Sequence, residues 1–191
     1  MPTTIDPQRR ALLLSGASLP AGSLLATAPL QTAAAQRADR QLQLASLAAA
    51  EQELARLVAA RERVSGEPWS WGQTLVHLAQ SIDYSMTGYP VPNSWLFRHT
   101  VGPAAFAFFG WRGRMSHDLD APSPGAPAID PLGPGPAALD RVRQALGRFR
   151  GWSGPLQPHF AYGALDKAGY ERAHAMHLAN HFSAFDVRRA G

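Results

Sequence analysis

The sequence predicts an all-α domain from about Gln36 onward, arranged as a four-helix bundle with one long crossover connection. Three observations predict it. Apolar residues recur at three- and four-residue spacing in four separate stretches. No stretch alternates apolar and polar residues over the length of a strand, so essentially no sheet is expected. Gly- and Pro-rich punctuation separates the stretches, and its longest run, 122–136, supplies the crossover.

Composition narrows the function classes. With 46% apolar residues in 191, the chain can bury a core of ordinary size and is not disordered by composition. The net charge of +4 comes almost entirely from scattered arginines, with Lys167 the only lysine. There is no dense basic run and no interleaving of aromatic and basic residues, which argues against nucleic acid as a partner. Cysteine is absent. Disulfides, zinc–thiolate sites and cysteine nucleophiles are therefore excluded together, and any metal must be held by nitrogen and oxygen.

Residues 1–35 read as a signal peptide of the twin-arginine type. Arg9 and Arg10 follow a short polar start, and a mildly apolar stretch runs to about Leu30. Ala33, Ala34 and Ala35 then supply the small residues that signal peptidase accepts. Gln8 stands where Ser or Thr is more usual in such signals. A Sec signal and an uncleaved anchor are the rivals; Pro20 and Gly22 interrupt a stretch barely long enough to span a bilayer. The expected location is periplasmic or otherwise exported, with no stable membrane insertion after cleavage.

The domain 36–191 divides as follows. Residues 39–63 are rich in Ala, Leu, Gln, Glu and Arg without Gly or Pro, which favours a helix with Leu47, Leu54, Leu57 and Val58 as its apolar stripe. Ser65 to Pro68 breaks it. Ser70 with Gln73 forms a capping-box pattern that starts a second helix, running to about Thr87 before Gly88 and Pro90. Residues 94–111 are strongly apolar and are expected in a short helix across the bundle, packed in the core rather than against a membrane. Leu139, Val142, Leu146 and Phe149 mark the third bundle helix, and Asp166 can cap a last helix running to about Val187.

Seven histidines make the chemistry. On the last helix His177 and His181 are one turn apart, about 40° around the axis and about 6 Å along it, so both imidazoles can converge on one ion. His174 lies on the same inward face, where an unpartnered imidazole is costly to bury. Spacing alone leaves open a metal pair or hydrogen-bonded histidines. His77 sits about 100° or more from the Leu75, Leu78, Ile82 and Met86 stripe of its helix, beside Gln73, Gln80, Ser81 and Tyr84. That position is either a polar cavity wall facing the last helix or a solvated face.

Three blocks carry a resemblance. Trp69 to Ile82 resembles a second-helix motif of the form W-S-x-G-x-x-L-x-H-L-A. His159 to Leu165 is similar to an H-P-x-F-G-x-L segment, with Phe160 in place of the proline. His177 to Phe182 is similar to a final H-L-x-H-H-L motif, with Asn180 in place of a histidine. All three belong to the branch of the DinB-like metalloenzymes known as domain of unknown function 1569, and they cover most of the mature chain in the right order. The resemblance implies a DinB-like four-helix bundle in which His77, His177 and His181 hold a divalent metal, zinc or nickel by ligand chemistry. Gln73, Tyr84, His159 and His174 are candidates for orienting those residues or a substrate. His159 is equally readable as a loop histidine that caps its own turn.

Three neutral imidazoles leave a coordination position open, where an ion polarises a carbonyl or acidifies water. A hydrolase or transferase acting on a small molecule is the function this implies; the alternative is a non-catalytic metal- or ligand-binding bundle. Peptidase chemistry is disfavoured because no Glu or Asp accompanies the motifs as a base. Related bundles use cytoplasmic low-molecular-weight thiols, which an exported protein would not readily meet. A homodimer is allowed.

Overall fold

A computed structural model describes residues 39–60, 63–65, 68–130 and 135–187. The signal-peptide segment 1–35 and the expected mature start at Gln36 lie outside the described residues. Among the described residues the regular structure is helical apart from one small ribbon and an isolated bridge between His159 and Gly163. In chain order the described elements are α1 Leu47–Ala59, β1 Arg63–Ser65, α2 Trp71–Thr87, α3 Trp95–His99, α4 Val101–Arg112, α5 Gly135–Gly151, α6 Lys167–Phe182 and β2 Phe185–Val187.

The helix starts follow local chemistry. Ser70 accepts from the Gln73 amide while the Gln73 side chain accepts from the Ser70 amide, so the capping box of α2 is complete. Asp166 accepts from the Gly169 amide at 2.7 Å and starts α6. The first helix is shorter than its composition suggests. Ser46 caps it by accepting from Ala49, and residues 39–45 have no regular secondary structure and bond to the end of α6. There Arg40 donates to the Phe182 carbonyl and the Leu42 amide to Ser183 Oγ. Those tertiary hydrogen bonds outweigh the helix propensity of the segment.

Sheet is as scarce as expected, a single two-stranded ribbon among the described residues, whereas the run of α6 to Val187 is corrected. α6 stops at Phe182, where the Ser183 hydroxyl donates to the Ala179 carbonyl. The chain then turns into β2, which pairs antiparallel with β1 in the register Arg63–Val187, Val64–Asp186, Ser65–Phe185. Three residues a side are too few for periodicity to register.

One apolar core lies among α1, α2, α5 and α6. It gathers Leu54 and Leu57, then Leu75, Leu78, Ile82 and Met86, then Val142, Leu146 and Phe149, closed by Tyr170, Leu178 and Phe182. Full burial of each such large apolar side chain contributes about 1.5–3 kcal/mol. α2 lies along α5, and α6 packs on both α1 and α2, which brings two histidine-bearing helices side by side.

The apolar stretch 94–111 is not core. It forms α3 and α4, whose Trp95, Leu96, Val101, Phe108 and Trp111 are exposed. Only one side of α4 packs inward. Gly102 is buried so closely against the Ala161 carbonyl that a Cβ there would overlap it, and Phe106 meets Tyr162. A short two-helix element that docks through a glycine leaves the rest of its surface outside. No described helix is long and apolar enough to cross a membrane.

Candidate metal centre

α2 is buried on more than one side. Its Leu75–Leu78–Ile82–Met86 face belongs to the core, while His77, Ser81 and Ser85 follow one another at one-turn spacing on another face. That face meets α6. His77 Nε2 lies 3.1 Å from His177 Nε2, and Ser85 Oγ lies 3.2 Å from His174 Nε2. Of the two readings of His77, the cavity wall is the one realised: the residue is 3% exposed.

The one-turn spacing of His177 and His181 brings their ring centroids within 4.9 Å, and each ring is 5.0 Å from that of His77. One nitrogen from each of the three rings lies within 4.8 Å of the others. Bonds of about 2.0–2.1 Å put the nitrogens of a tetrahedral zinc site about 3.3 Å apart. The His77–His177 pair is already near that spacing, and the His181 nitrogen lies within 4.8 Å of both.

The donors also have the right protonation. Burial pushes His77 down to about 3, with His181 and His117 adding to it, and burial drives His177 and His181 well below their ordinary value. All three are neutral at physiological pH, with a lone pair to give. Among the described residues the buried His77 Nδ1 has no hydrogen-bond partner, so none of their carbonyls or carboxylates orients this ring. Packing does so instead: the Trp69 ring meets His77 edge-on at 5.0 Å and lies parallel to His181 at 6.4 Å. These three residues could hold a metal ion through nitrogen.

The cluster opens into a cavity of about 330 Å³. His77, His174 and His177 line its floor, Met115, Pro122 and Pro124 one wall, and His159 to Tyr162 the other. Its lining contains no Asp, Glu, Lys or Arg. His174 donates toward Ser85, whose own hydroxyl donates to the Ile82 carbonyl at 2.6 Å, so the His174 proton is assigned to Nε2. His159 Nδ1 accepts from the amides of Ala161 and Tyr162 at 3.1 and 3.2 Å, which assigns its proton to Nε2. His159 thus caps its own turn and also lines the cavity. Burial lowers both rings to about 3 and raises the Tyr162 hydroxyl to about 12, so all three stay neutral.

The other two candidates stand elsewhere. Gln73 is spent on the capping box of α2, and Tyr84 packs against Tyr89 at 5.6 Å; neither lines the cavity. Sequence reasoning missed His117. It lies in the irregular segment after α4, yet its ring is 5.0 Å from His177 and 5.2 Å from His181. A lone histidine in a stretch without periodicity carries no signal of its own. Trp69 had one, as the first residue of the second-helix block.

An all-helical domain with a buried three-histidine cluster able to hold a metal is the class that fold and site define. The chain belongs to a family of proteins of unknown function, DUF1569, whose family model matches residues 36–188. No curated protein and no solved structure matches the chain.

Proposed function

We propose that this protein is an exported, DinB-like metal-dependent enzyme, a hydrolase or transferase of small molecules. It holds one divalent ion, zinc or nickel, through His77, His177 and His181. The observation that carries the reading is the 3.1 Å approach of His77 and His177 on the floor of a 330 Å³ cavity. The packing of α1, α2, α5 and α6 about one core, with a long connection before α5, supports the four-helix-bundle assignment.

When bound, the ion would supply Lewis acidity toward a carbonyl or a water molecule. The chain's own residues do the rest. Met115, Pro122 and Pro124 offer an apolar wall to the body of a small, largely uncharged molecule. The His159 Nε2–H and the protonated Tyr162 hydroxyl are the hydrogen-bond donors of the opposite wall.

One observation favours a second reading, binding without turnover. No carboxylate or lysine lines the cavity, so a general base, if the reaction needs one, would have to be a neutral histidine.

The test is elemental analysis of protein purified from its native compartment, followed by thermal-shift screening with small metabolites on wild type and His77→Ala. Stoichiometric metal and a His77-dependent shift by a metabolite that is also consumed support the enzyme. The same shift without consumption supports the binding protein. Absence of metal, with a melting temperature indifferent to chelator, zinc and nickel, leaves a structural helical domain.

A further inference from the structure

We propose that His117 is a fourth, displaceable nitrogen ligand that closes the open coordination position of the three-histidine site. The inference rests on that site as proposed above and deepens it.

Three observations carry it. The His117 ring reaches two of the three proposed ligands at once, with centroids 5.0 Å from His177 and 5.2 Å from His181. These ring separations are close to those among the three ligands themselves, 4.9 to 5.0 Å, and the His117 ring would turn inward to bring its nitrogen into the cluster that those three already form. Its Nδ1 lies 2.8 Å from the Asp118 carbonyl. A carbonyl can only accept, so Nδ1 carries a proton, and whenever the ring is neutral its lone pair is on Nε2. That is the tautomer, and the backbone-carbonyl partner, that metal-binding imidazoles use. Finally, Asn180 donates from α6 to the His117 carbonyl at 3.4 Å, tying this part of the segment to the helix that carries the other two ligands.

The placement gives the residue a second property. His117 lines the inner cavity and also an outer one of about 430 Å³ that contains Asp39, Asp118 and Asp120. It is therefore the partition between a carboxylate-bearing approach from solvent and the neutral, buried histidine floor. Unlike the other three histidines it is exposed and stands on irregular chain, so it can swing aside at little cost. Four nitrogens make a closed site of the structural kind, and three make an open one. In this protein one mobile imidazole would separate the two states.

The experiment uses metal-free purified protein titrated with Co(II), whose visible absorption is intense in a tetrahedral four-nitrogen site and weak at higher coordination. Wild type and His117→Ala are compared, with His99→Ala, an exposed histidine stacked on Trp95, as control. Wild type and H99A should give the intense spectrum at one Co(II) per chain. H117A should still bind one ion, about tenfold or more weakly, with a weaker spectrum that azide perturbs at lower concentration than in wild type. The metal-free melting temperatures of all three should agree, because both replaced residues are exposed. An H117A protein with wild-type spectrum, affinity and azide response overturns the fourth-ligand role and leaves the three-histidine site standing. A wild-type protein that takes up no Co(II) overturns that site, and the proposal with it.

Discussion

His77 Nε2 on α2 stands 3.1 Å from His177 Nε2 on α6, although one hundred residues separate them in the chain. The approach is made by two helices whose flanking residues are in the core: Leu75 and Leu78 beside the first histidine, Leu178 beside the second, none of them exposed at all. Positions held by such packing are stiff, because shifting either helix would open voids that the dense interior penalises. The site is accordingly built before any ion arrives.

Clamping an ion between two helices should stabilise the fold by mass action. At free metal one hundred times Kd the gain is about 2.7 kcal/mol, or a rise of about 5–10 °C in melting temperature for a chain of this size. Replacing His77, His177 or His181 with Ala should abolish most of the difference between chelated and metal-supplemented protein. His174→Ala should lower both curves, through loss of its bond to Ser85, and keep the difference. Differential scanning fluorimetry reads all four variants.

Stability of the metal-free protein should fall with acid. Burial lowers His159 and His174 to about 3 from an ordinary 6.5, so the unfolded chain takes up protons first as pH drops. The stability is complete above about pH 6.5 and is lost progressively toward pH 3, at about 1.4 kcal/mol per pH unit for each such histidine. In urea unfolding with chelator between pH 6.5 and 5, His174→Gln should reduce the slope by about that amount. An unchanged slope would mean that His174 is protonated in the fold.

Gly102→Ala should loosen the cavity wall. Its Cβ would overlap the Ala161 carbonyl, forcing α4 away from the turn that carries His159. A backbone obstacle of this kind should cost about 1–3 kcal/mol, seen in denaturant unfolding. Gly147→Ala, where a Cβ meets nothing within 4 Å in an exposed part of α5, should be neutral or stabilising by up to about 1 kcal/mol.

Ser70→Ala removes one half of the α2 capping box and should cost about 1 kcal/mol. Because α2 holds His77 seven residues further on, the loss should show in stability and leave metal stoichiometry unchanged. Chemical denaturation and elemental analysis separate the two.

Replacing Arg9 and Arg10 with Lys should retain the precursor in the cytoplasm if the twin-arginine route exports it. Fractionation followed by immunoblotting reads the result, and normal export of the double variant would assign the leader to Sec instead.

Local signals were strong wherever the chemistry is local. The capping box at Ser70, the Asp166 cap and the apolar stripes of α2 and α5 were legible, since each depends on residues within a turn or two. The His177–His181 pair was legible for the same reason, and the motif resemblance added His77. What tertiary structure decided was everything set by contacts between distant segments. Residues 39–45, helical by composition, are not helical, because Arg40 and Leu42 bond to the end of α6. The apolar run of α3 and α4 lies outside because only its Gly102 side packs inward. Ser183 ends α6 early and feeds a strand whose partner, β1, lies more than a hundred positions earlier, with Ser65 opposite Phe185 and Arg63 opposite Val187. His117 joins the cluster through chain with no periodic pattern to predict its path. Residue spacing encodes the direction of a side chain from its own helix; which other segment it meets depends on how the helices pack, and no local pattern carries that.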